Sequence, residues 1–154
     1  MNNHEIDYKI FGEELQYVEI ELDPQETVIA EPGSFMMMTE GIDMQTMFGD
    51  GSNQGGLMGK LFTAGKRLLT GESLFMTSYT NNSQQKRQIS FAAPFTGKII
   101  PLDLSQYQGK IICQKDSFLC AAKGVSIGIE FQRKLGTGLF GGEGFIMQKL
   151  EGHG

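Results

Sequence analysis

Tryptophan is absent from this 154-residue chain, which holds only two histidines, two cysteines and four prolines. Each scarcity removes a class of chemistry. His4 and His153 stand near opposite ends, and chain ends are poor scaffolds for the positioned imidazole that a Ser–His–Asp or Cys–His arrangement needs. The same four side chains show no zinc-ligand spacing. Cys113 and Cys120 lie among apolar residues, which favours buried, reduced thiols over a disulfide. No run of about 18 apolar residues occurs, and no basic-then-apolar stretch opens the chain. The cytoplasm is therefore the expected compartment.

Glycine, by contrast, is the commonest residue type at 21. Without a collagen period, that much glycine indicates many turns between short strands. The net charge of −5 hides an imbalance: residues 1–50 carry 12 of the 18 acidic groups and a single cation, Lys9. Such segregation either steers copies of a protein together or decorates solvated faces, and the second reading is the safer. The acidic total argues against nucleic acid as the main partner.

The dominant hydrophobic period is two. Val18, Ile20 and Leu22 alternate with Glu19 and Glu21, and Val125, Ile127, Ile129 and Phe131 alternate with smaller or polar residues. Residues 89–92 and 97–100 read as further short strands around Pro94. Turn signals recur at Glu31-Pro32-Gly33, Thr80-Asn81-Asn82-Ser83 and Lys115-Asp116. An all-β fold of sandwich or barrel-like units is expected.

The chain also echoes itself. Ser34–Gly41 reappears as Ser117–Gly124, and Thr27–Glu31 as Lys110–Gln114, both at an offset of 83 residues. Gly71–Met76 reappears as Gly142–Met147 at an offset of 71, so the first copy holds 12 extra residues within the stretch 50–69. Two tandem units follow, 1–88 and 89–154, packed as one body. Because Met36, Met37 and Met38 fall on apolar positions of the second copy, core filling is favoured for them over a soft-metal site.

The extra stretch breaks the period of two. Leu57, Met58, Leu61, Phe62, Leu68 and Leu69 fall at roughly helical spacing. Lys60, Lys66 and Arg67 beside Leu61 and Phe62 suit either an anionic membrane surface or a partner surface. Packing against the β-body or a neighbouring subunit is the favoured of the two.

Other motifs dissolve on inspection. Gly136-Thr137-Gly138-Leu139-Phe140-Gly141 matches G-x-G-x-x-G, yet a strand-like segment follows where a helix must present its amides to a pyrophosphate. Gly59 and Gly65-Lys66 miss the phosphate-loop spacing, and Arg67 stands where a Ser or Thr is needed. Glu72 and Glu143 occupy equivalent places, each after a glycine. Paired carboxylates can do acid–base work, but repeated turn carboxylates accepting backbone hydrogen bonds are favoured.

The string Phe91–Leu104, with Ile112–Lys115, Lys134–Phe145 and Gly71–Phe75, resembles the Aim-twenty-four family, the altered-inheritance-of-mitochondria proteins and their bacterial relatives. The resemblance runs over essentially the whole chain. It implies a fold similar to the tryptophan RNA-binding attenuation protein, but fold likeness does not carry RNA or tryptophan binding with it. It brings no catalytic residues and no cofactor. Chains of this family run on past the second Gly-Glu-Gly strand into a third unit. This one stops at Gly154, so a truncated chain or strands supplied by a partner are the expectations. The function expected is non-enzymatic homo-oligomeric assembly. Peripheral membrane attachment through 57–69, or a small-molecule or nucleic-acid binding module, are the alternatives.

Overall fold

The computed structural model describes residues 5–48, 75–114, 116–132 and 145–154. Among them are eleven strands, β1 to β11 in chain order, and one short 3₁₀ turn, Leu104–Tyr107. The chain is all-β, as the period of two implied.

The first sheet has the order β1-β2-β7-β4 and is antiparallel throughout. It is built from β1 (Asp7–Phe11), β2 (Tyr17–Leu22), β7 (Arg87–Ala92) and β4 (Phe35–Met38). In β2 the alternation holds residue by residue: Val18, Ile20 and Leu22 are buried while Glu19 and Glu21 face the wet side. The second sheet, β5-β6-β3-β9, joins β5 (Ile42–Phe48), β6 (Phe75–Asn81), β3 (Thr27–Ala30) and β9 (Cys120–Ala122). A third, β10-β11-β8, joins β10 (Ser126–Gln132), β11 (Phe145–Glu151) and β8 (Lys110–Gln114).

Two hydrophobic clusters stack these sheets. One packs Ile20 and Leu22 of β2 and Phe91 of β7 against Val28, Ala30 and Tyr79 of the second sheet. The other gathers Ile29 and Met76 from the second sheet with Phe118 and Ile127, and Leu150 packs against it. The second sheet is thus covered on both faces. That is why β3 is buried without a break and Val28, Ile29 and Ala30 are apolar in succession rather than alternating.

The second and third sheets share an order and a register. Val28 faces Tyr79 and Met44 faces Tyr79 in one; Ile111 faces Leu150 and Ile127 faces Leu150 in the other. Each pair is related by the offsets read from the sequence. The turn glycines agree as well: Gly41 and Gly124 adopt φ of +95° and +109°, a region that costs any residue with a Cβ.

The strand expected at 97–100 does not form. Gly97 makes an isolated bridge to Leu15, and the Ile99 amide donates to the Gln16 side chain at 2.7 Å instead of to a ladder. Prolines at 94 and 101 bracket the segment and keep a ladder from continuing past it on either side.

Asn81, wholly buried, fastens the corner between the first two sheets. Its Nδ2 donates to the Leu22 and Gln85 carbonyls at 2.9 and 2.8 Å. Its Oδ1 accepts from the Ser83 amide and hydroxyl at 2.9 and 2.8 Å. Its backbone pairs with Gln25 and Glu26 in the β2–β3 turn. An apolar replacement strands the Leu22 carbonyl in the core. Asn81→Ala is expected to lower unfolding free energy by about 3 kcal/mol in urea titration, whereas Asn82→Ala, at an exposed neighbour, changes it by less than about 1 kcal/mol.

Candidate interaction surface

β4 begins at a tight turn, where the Ser34 amide and hydroxyl both donate to the Glu31 carbonyl at 3.2 and 2.7 Å. It ends where the Thr39 hydroxyl donates to the Gln88 carbonyl and accepts from the Gln88 amide. Between these anchors Phe35 pairs with Phe91, Met37 with Ser90 and Met38 with Ile89, leaving Met36 as the extra residue of a bulge.

The Phe35 ring stacks on Tyr79 with centroids 5.6 Å apart, and Tyr79 meets the edge of Phe91 at 5.3 Å. Burial raises the Tyr79 phenol above its ordinary pKa, partly opposed by a hydrogen bond with Thr77. This ladder ties the end of the first sheet to the second.

Past the ladder the strand is bare. Met36, Met37 and Met38 are 49, 48 and 39% exposed, and Met44 of β5 is 59% exposed. β4 and β5 close their respective sheets, and the short segment 39–41 joins them, so these methionines share one rim. The expectation of a core role for Met36–Met38 is therefore overturned. Alignment with the second copy carried apolarity but not burial: β9 and β4 each end a sheet, but β9 lays the small Cys120, Ala121 and Ala122 on β3, whereas β4 carries large side chains that its sheet does not cover. No local signal distinguished the two outcomes, since a uniform apolar run reads as a strand buried on both faces.

A second apolar patch lies around Leu15, Phe95 and Ile100, all largely exposed. It is held by the Leu15–Gly97 bridge and by Lys98, whose ammonium donates to the Glu13 carbonyl. Exposed Glu13 and Glu14 adjoin it.

Charge is less segregated in space than in sequence. Lys86 lies 2.7 Å from Glu21 and 3.4 Å from Asp23, which brings the acidic first third onto a cation of the later chain. Such exposed pairs contribute little to stability.

Cys113 and Cys120 are both free. Burial pushes the Cys120 thiol up to about 12. Burial, and secondarily Glu31, raise that of Cys113. Neither is a ready nucleophile at neutral pH. Among the described residues no cluster of three His, Cys, Asp or Glu side chains is placed to hold a metal ion. Lys60, Leu61, Phe62, Lys66, Arg67, Glu72 and Glu143, together with the glycine-rich fingerprint, lie outside the described residues. No helix among the described residues is long and apolar enough to cross a membrane.

Stacked antiparallel sheets make the described residues an all-β architecture with an exposed apolar rim. The chain belongs to the family described as Mitochondrial biogenesis AIM24, which it matches over residues 8–154. Among solved structures it is similar to a Streptococcus pyogenes protein determined by X-ray crystallography, with a TM-score of 0.66 and 22% identity. The match covers 97% of this chain and 62% of that one, so the chain spans about three-fifths of the length of the solved structure. No curated protein matches it.

Dilute peroxide reads the rim directly. Peptide mapping of protein at nanomolar concentration is expected to find Met36, Met37, Met38 and Met44 converted to sulfoxide at least about tenfold faster than Met76, which is buried at 1% exposure.

Proposed function

We propose that this chain is a non-enzymatic assembly module that binds further copies of itself, with no cofactor and no nucleic-acid partner. The observation supporting this reading is β4, an edge strand with four exposed apolar side chains and no charge. Edge strands in native sheets are blunted by charges, proline, brevity or bulges. β1 carries Asp7 and Lys9, β5 Asp43 and β10 Glu130, β9 has only three residues, and β8 carries a charge at its first residue alone, Lys110. β4 relies on brevity and its bulge alone. Two β4 strands set antiparallel about a two-fold axis bring no like charges together, with Phe35 opposite Met38 and Met36 opposite Met37. Methionine suits such a contact because its unbranched thioether adapts to an irregular surface.

The second patch supports a protein partner over a lipid one, since Glu13 and Glu14 beside Leu15 would be repelled by anionic headgroups. The tandem arrangement fits the same reading, with two units of one order and register presenting several edges.

Size-exclusion chromatography with light scattering tests the proposal. A mass of two or more chains at micromolar concentration is expected, shifting toward one chain in Met37→Lys. A wild-type monomer under those conditions rejects it.

A further inference from the structure

The second and third sheets match strand for strand except at one place. In the second, the outer edge of β3 is capped by β9: Val28 faces Ala122, Ile29 faces Ala121 and Ala30 faces Cys120, all antiparallel. In the third, β8 stands where β3 stands, pairing with β11 as β3 pairs with β6. No strand among the described residues covers the other edge of β8.

The side chains register the difference. The segment Ile111-Ile112-Cys113 is as apolar as Val28-Ile29-Ala30, a composition suited to burial on both faces. Val28, Ile29 and Ala30 are indeed buried, Ile29 at 3% exposure. Ile112, in the place of Ile29, is 37% exposed, and Ile111 and Cys113 are only half-buried. Because a ladder uses every second pair of backbone groups on each side of a strand, β8 keeps donors and acceptors aimed outward.

We propose that the outer edge of β8 is an acceptor for an added antiparallel strand, supplied by another polypeptide and of the same chemistry as β9. β9 and its flanks specify that occupant. It is a short extended segment with small residues opposite Ile111, Ile112 and Cys113, because Ala122, Ala121 and Cys120 are what the equivalent edge receives. Its ends are defined as well. The Glu31 amide donates to the Leu119 carbonyl and the Lys123 amide to the Thr27 carbonyl, so the matching bonds on β8 fall at Gln114 and Lys110. Affinity would come from main-chain hydrogen bonds and selectivity from side-chain size, as in other strand additions.

The inference extends the assembly reading but fails separately from it. The probe is a synthetic peptide of residues 117–124 carrying Cys120→Ser, added to the intact chain, with amide hydrogen exchange as readout. Exchange at the outward amides of Ile112 and Gln114 is expected to slow at least about tenfold at saturating peptide, while a backbone N-methylated version of the peptide has no effect. A chain found monomeric by light scattering that still shows this protection supports the acceptor edge while refuting self-assembly. Unchanged exchange at 1 mM peptide overturns the proposal, as does equal protection by the N-methylated peptide, since recognition would then not run through the backbone.

Discussion

β3 is the strand on which the described structure turns. It is sealed on both faces by the two hydrophobic clusters and on both edges by β6 and β9. Val28 and Ala30 face the first sheet and Ile29 the third, so a four-residue segment holds three layers in register. Burying such side chains is worth roughly 1.5–3 kcal/mol each for the larger ones, but the geometric effect matters more. A central strand cannot shift by one residue without exchanging the contents of both clusters.

From that centre the sheets run outward to edges of unequal finish. Asn81 closes one corner with a fully satisfied hydrogen-bond set, and the Phe35–Tyr79–Phe91 ladder closes another. Beyond the ladder, β4 leaves its methionines uncovered. β8 has the composition of a central strand in the position of an edge. Membership of the AIM24 family accompanies an all-β architecture in which both cysteine thiols are held protonated by burial.

Much of this was legible in the residues. The alternation in β2 and the glycine-punctuated turns identify strands because burial of one sheet face imposes a period of two. The offsets of 83 and 71 anticipate strand registers because equivalent side chains must meet equivalent partners, as Val28–Tyr79 and Ile111–Leu150 do. Position within a sheet was not legible. Met36–Met38 and Cys120–Ala122 are both apolar and both end a sheet, yet one pairs with β7 and the other with β3, a difference fixed by contacts between distant segments. The segment 97–100 misled for a related reason: Ile99 and Ile100 have strand propensity, but its amide bonding is decided by Gln16, more than eighty residues earlier.

Assembly through β4 requires the rim to be covered in solution. Amide exchange of residues 35–38, followed as the protein is diluted from micromolar to nanomolar concentration, measures this without a variant or a probe. Protection at high concentration that is lost on dilution is expected, while β3 stays protected throughout. Exchange at β4 that is independent of concentration would contradict that assembly.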